Sequence, residues 1–216
     1  MVITSNLSDE ALLNAIYASA KAYSQLIGNE YLIFGKNKES RYFWFQCHFH
    51  KKYFMHLLGI QSKTLNAEEF YMKCEEYNCE QGKGIMISDC TPSRKHNRKT
   101  INEKSSCCAE MLHIENAKYM KVGLKDKISE FVDFAYAYGN IATLGFQQNG
   151  LKSSFPITLI PRSIDEFTSK KYKIIFILQK KIREDKYKKL LVEIKEGIFM
   201  EHYRELPEEI KGMIAI

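Results

Sequence analysis

The stretch Arg41-Tyr42-Phe43-Trp44-Phe45-Gln46-Cys47-His48-Phe49-His50 reads as a β-strand, and the fold class follows from what surrounds it. Phe43, Phe45, Cys47 and Phe49 fall on one face, and Tyr42, Trp44, Gln46, His48 and His50 on the other, the two-residue period of a pleated backbone. Just upstream, Tyr31-Leu32-Ile33-Phe34 is a second short strand. The turn-rich Gly35-Lys36-Asn37-Lys38-Glu39-Ser40 joins the two into a hairpin.

Helical signals flank this hairpin. Ser8 is a candidate N-cap, followed by Asp9 and Glu10, and Leu13, Ile16, Ala20, Tyr23 and Ile27 form an apolar stripe that ends at Gly28-Asn29. After the hairpin, Phe54, Leu57 and Leu58 mark the buried side of a short helix over Lys51 to Gly59. Asn66 with Glu69 resembles a capping box opening a helix to about Tyr77. Residues 79–99 hold Gly82, Gly84, Pro92 and the basic run Arg94, Lys95, His96, Arg98 and Lys99, which predicts an exposed loop. Thr100 with Glu103 is the next capping-box candidate, for a helix to about Glu115.

The remainder turns to period two. Ile128 to Tyr138 alternates, Gly139-Asn140 offers a hairpin turn, and Ile141 to Phe146 is the partner strand. Asn149-Gly150 is a further turn before Phe155, Ile157 and Leu159, where Pro156 indicates an edge strand or a bulge. Ser163 with Glu166 suggests a short helix, Lys173 to Leu178 an apolar strand for a sheet centre, and Asp185 to about Glu196 a helix. The tail beyond carries no clear signal. Helices first and an antiparallel meander after give an α+β class, with N-terminal helices and a hairpin packed on a twisted antiparallel sheet, in a single domain over 1–216.

With 216 residues, 45% of them hydrophobic, the chain can bury a real core. Its net charge of +6 permits a nucleic-acid or anionic partner without demanding one. No apolar run reaches the length of a membrane span, and no basic-then-apolar leader opens the chain, so a cytoplasmic protein is expected. The six cysteines form no Cys-x-x-Cys pair and are read as reduced thiols.

Two segments resemble a known family. Phe49-His50-Lys51-Lys52-Tyr53-Phe54-Met55-His56-Leu57-Leu58-Gly59-Ile60, followed by Glu69-Phe70-Tyr71, looks like the strand, aromatic-x-His-Leu-x-Gly helix and Phe-Tyr helix of the fourth phage-associated subfamily of barnase–EndoU–colicin–RelE (BECR) nucleases. Leu144-Gly145-Phe146, then Phe155-Pro156-Ile157-Thr158-Leu159, then a terminal strand, is similar to the same subfamily in order. Leu58 stands where many relatives carry Thr. The likeness spans about residues 40 to 190. It implies metal-independent RNA cleavage, in which a ribose 2′-hydroxyl attacks the adjacent phosphate and leaves a cyclic phosphate end. It implies no cofactor, an RNA partner, and for toxin-like members an immunity or antitoxin protein.

Such chemistry needs a base and an acid near neutral pH and positive charge on the phosphorane. His56 is the first candidate, since it points away from the apolar side of its helix together with Lys52. Thr158 is the second, because in the related fold a strand hydroxyl contacts the scissile phosphate. Ser154 shares its strand face, and Arg162 follows shortly as a bidentate phosphate clamp. Lys121 and Lys118 are candidates for transition-state charge. Each has an ordinary alternative: a surface histidine, a threonine chosen for strand propensity, solvated lysines and arginines. His48 and His50 on one strand face also suit zinc if a further ligand joins them, though Cys47 points the opposite way. A cleaving enzyme, a catalytically silent RNA- or protein-binding relative, and a zinc hydrolase are the readings to separate.

Overall fold

The computed structural model describes residues 2–77, 84–126, 134–148 and 153–215. Helix α1 (Asp9–Ser24) starts where Ser8 accepts a hydrogen bond from the Ala11 N–H at 3.2 Å. The hairpin follows as β1 (Asn29–Lys36) and β2 (Tyr42–His48), in antiparallel register. A 3-10 turn at Lys51–Tyr53 leads into α2 (Phe54–Leu57), and β3 (Ile60–Gln61) follows. Helix α3 (Ala67–Glu75) opens on the expected capping box of Asn66 and Glu69.

In the segment expected as an exposed basic loop, Arg94, Lys95 and Lys99 are exposed, while the part before them packs into the fold. Ile85, Asp89 and Cys90 are buried, and β4 (Thr91–Pro92) pairs with β3. The next helix, α4 (Arg98–Leu112), begins a turn earlier than Thr100 predicts. Its cap is Asn97, whose Oδ1 accepts from the Thr100 N–H at 2.9 Å and from the Thr100 hydroxyl at 3.0 Å.

The meander is β5 (Lys121–Leu124), β6 (Tyr136–Gly139), β7 (Thr143–Gln147) and β8 (Phe155–Ile160). Strand β5 was not expected, and the predicted strand from Ile128 and the Asn149-Gly150 turn fall wholly or partly outside the described residues. Pro156 lies on an edge strand beside a register shift, so both readings of that proline hold. Strand β9 (Lys171–Lys181) is central, with β1 on one side and β5 and then β10 (Lys189–Glu193) on the other. The helix expected over Asp185 to Glu196 is therefore corrected to a strand.

The sheet order is β2-β1-β9-β5-β6-β7-β8, and it curls strongly into a half-barrel. The start of β8 returns to β2: the Ser154 N–H donates to the Gln46 carbonyl at 2.7 Å, and the His48 N–H donates to the Ser154 carbonyl at 2.9 Å. Helices α1 and α4 pack together over one face, around Leu12, Ile16, Phe45, Phe49, Phe146 and Cys108. The chain end, α5 (Ile198–Tyr203) and α6 (Glu208–Gly212), covers the opposite face of β1, β2 and β9 with Phe199, Leu206 and Ile210. That is why Trp44, on the face of β2 turned away from α1 and α4, is half-buried. The arrangement is α+β, as expected. Among the described residues, no helix is long and apolar enough to cross a membrane.

Candidate active site

Helix α4 has a buried stripe of Ile101, Ser105, Cys108 and Leu112, and Lys104 belongs to it, only 2% exposed. A lysine there must take its ammonium out of water, which favours the neutral amine. Burial lowers its pKa to about 8. Its Nζ lies 3.2 Å from Nε2 of His96, and with that nitrogen unprotonated the ammonium donates to it. His96 is likewise held below the ordinary imidazole value, by burial first and then by the neighbouring Lys104 charge.

His96 is fixed by the segment before α4. Its N–H donates to the Ser93 carbonyl at 2.8 Å, and the Ser93 N–H donates to the Gly59 carbonyl at 3.0 Å. Gly59 has φ +70°, and a Cβ there would stand 2.7 Å from Cδ2 of His96. The glycine of the His-Leu-x-Gly motif thus meets two demands at once, a left-handed backbone and an imidazole lying against it.

Strand β8 supplies the other wall. Thr158 pairs with Gly145, where an added Cβ would come within 2.8 Å of both the Thr158 methyl and the Phe134 ring. Beyond the strand, the Arg162 carbonyl accepts from the Thr143 hydroxyl at 2.9 Å, which anchors its backbone. The Arg162 guanidinium lies 5.1 Å from the Phe167 ring centre and 3.4 Å from Glu166. Together His96, Lys104, Glu103, Thr158, Pro161 and Arg162 line an open groove of about 290 Å³. A proton-accepting imidazole, a buried amine, a hydroxyl and a guanidinium around one space are the functional groups that phosphate-ester cleavage uses.

The groove brings Thr158 and Arg162 together, while the other sequence candidates are not among its lining residues. His56 is exposed on α2, and its carbonyl accepts from the Gly59 N–H at 3.0 Å, which puts it one turn from the glycine that abuts His96. Lys52 is exposed with Nζ 5.0 Å from the Tyr53 ring centre, and that ring stacks on Phe155 at 4.4 Å. Ser154 is buried at the β2–β8 junction. Lys121 pairs with Asp165 at 3.0 Å in a separate hollow, and Lys118 lines a third beside Tyr119 and Ile141.

Of the other histidines on β2 and after it, His48 Nδ1 lies 3.1 Å from the Ser153 hydroxyl, and His50 Nδ1 accepts from the Lys52 N–H at 3.3 Å. Among the described residues no three His, Cys, Asp or Glu groups gather closely enough to hold a metal.

His96 and Lys104 were not candidates from sequence. His96 sits inside a basic run that reads as a solvated loop. Lys104 did carry a signal: it lies three residues after Ile101 and four before Cys108, on the apolar stripe rather than the charged face.

A family model described as phage-Barnase-EndoU-ColicinE5/D-RelE like nuclease4 matches residues 15–196 of the chain. No curated protein and no solved structure matches it.

Proposed function

The chain belongs to this family of phage-associated BECR-like nucleases, and from that premise we propose that it is a metal-independent endoribonuclease whose reaction takes place in the His96–Lys104 groove. The observation that carries the reading is the 3.2 Å contact between His96 and Lys104, facing the same space as Thr158 and Arg162.

With its pKa held down, His96 is mostly neutral at pH 7. As RNA enters, the Lys104 ammonium turns from Nε2 to the 5′ oxygen, and the freed Nε2 accepts the proton of a ribose 2′-hydroxyl. The 2′ oxygen bonds to phosphorus as the bond from phosphorus to the 5′ oxygen breaks. Lys104, still largely an ammonium at pH 7 with a pKa near 8, gives a proton to that departing oxygen. The products are a 2′,3′-cyclic phosphate and a 5′-hydroxyl. His96 is left protonated and Lys104 neutral. Since the amine is the stronger base of the two, the proton crosses their contact and restores the starting pair. Thr158 and Arg162 contact the non-bridging oxygens, where charge grows in the transition state. His56 and Lys52 contact RNA outside the groove.

A fluorogenic RNA assay in EDTA tests this. His96→Ala and Lys104→Met lose cleavage by at least about a hundredfold, whereas His56→Ala changes affinity more than turnover. Activity that vanishes with chelator, or that survives both groove variants, contradicts the assignment. RNA binding without any cleavage by the parent points instead to a silent relative of the family.

A further inference from the structure

Three lysines lie side by side across the sheet. Lys36 on β1 is directly opposite Lys173 on β9, and Lys173 is directly opposite Lys121 on β5. Their chain neighbours Tyr172 and Val122 point into the core, so the lysines share the other face. Like charges directly opposite on adjacent strands repel and destabilise the pairing. Such a row is tolerated where counter-charge is supplied.

The protein supplies only part of that charge. Asp165 serves Lys121 and Lys171, each at 3.0 Å, and Glu205 lies 3.7 Å from Lys36. Glu39 pairs with Arg41 at 3.3 Å. Five lysines (Lys36, Lys38, Lys121, Lys171 and Lys173) and Glu39 line one hollow of about 700 Å³. With Asp165 and Glu205 set against the lysines and Glu39 against Arg41, three positive charges remain in excess. Lys38 and Lys173 have no ion-pair partner among the described residues.

We infer that the Lys36–Lys173–Lys121 row is a second binding site for the RNA backbone, separate from the cleavage groove, an assignment of ligand that rests on the nuclease reading. Adjacent strands lie about 4.8 Å apart, so the row spans about 10 Å, enough for flexible lysines to meet two successive phosphates. The turn after β8 links the two places: Arg162 lines the groove, and three residues later Asp165 bridges Lys121 and Lys171 at the hollow. A strand leaving the groove past Arg162 therefore runs toward the lysines.

The test uses the full chain and a labelled single-stranded DNA of about twenty nucleotides, which has the backbone charge but no 2′-hydroxyl to attack. Affinity is measured by fluorescence anisotropy across a salt series. For Lys36→Gln/Lys173→Gln the slope of log affinity against log salt falls by about 1.4, and affinity at low salt drops about tenfold. Lys38→Gln, in the exposed turn, lowers the slope by about 0.7. Cleavage of a dinucleotide, too short to reach the row, stays at the parent's rate. An unchanged slope in both variants overturns the second site, whether or not RNA is cleaved. Binding of tripolyphosphate that weakens in the variants while DNA binding does not also overturns it, in favour of a free-anion pocket. A reduced slope with no cleavage of any RNA by the parent sustains the second site and removes the nuclease reading alone.

Discussion

Lys104 Nζ and His96 Nε2 are 3.2 Å apart, with the lysine buried in the stripe of α4 that faces the core. A family motif meets this pair only indirectly, through Gly59 pressed against the imidazole.

Lys104→Met should stabilise the protein while abolishing cleavage. The folded pKa of about 8 lies below the unfolded value, so the folded state binds this proton less tightly. The penalty is complete below pH 8, where both states are protonated, and fades as pH rises from there to the unfolded value. It is on the order of 3 kcal/mol, and methionine fills similar volume without it. Denaturant unfolding of variant and parent side by side should show the largest difference at pH 6 to 7 and little by about pH 10.5. A variant less stable than the parent at every pH would contradict the burial argument.

The parent itself should lose stability in alkali. Burial pushes the thiols of Cys47 and Cys108 well above their ordinary value and those of Cys90 and Cys107 to about 12. Unfolded thiols ionise near 8.5, so above that pH the unfolded state sheds protons that the folded state keeps. Stability then falls as pH rises toward the folded values. Melting temperature followed from pH 7 to 10 checks this, and a flat curve disagrees.

Much of the architecture was legible because burial imprints a period. The alternation of Phe43, Phe45, Cys47 and Phe49 marked β2, and the unbroken Ile174 to Leu178 marked a strand covered on both faces. The misread segment, Asp185 to Glu196, has Tyr187, Leu190, Leu191 and Ile194 at helix-like spacing. Pairing to β9 and the burial of Tyr187 against the C-terminal helices override that local pattern. Two caps three residues apart, Asn97 and Thr100, hid the true start of α4, and its first turn is basic, against the usual charge preference. The site was half legible. Thr158 and Arg162 stand on or just beyond a recognisable strand, whereas the His96–Lys104 contact is made by tertiary packing between a capping turn and a helix interior.

Gly59→Ala should impair cleavage out of proportion to binding. The left-handed φ costs an alanine roughly 1–2 kcal/mol, and its methyl would displace His96, whose ring carbon stands 2.7 Å from the new position. Kinetics should show kcat down by about a hundredfold with KM nearly unchanged. Equal losses in the two, or none, would separate the glycine from the site.

Thr158→Val keeps the methyl that packs on Gly145 and removes only the hydroxyl. Cleavage should slow by about ten- to a hundredfold with the melting temperature held. Full activity in the valine variant would leave Thr158 a strand residue and nothing more.

The most direct measurement is the end group left on a short RNA incubated with the protein in EDTA, read by mass spectrometry, alongside the same RNA with a single 2′-deoxy sugar at the cleaved position. The account predicts a 2′,3′-cyclic phosphate from the first, no cut at that position in the second, and neither product from His96→Ala. A 5′-phosphate at the first cut, cleavage of the deoxy substrate at the same bond, or full activity in His96→Ala would contradict it.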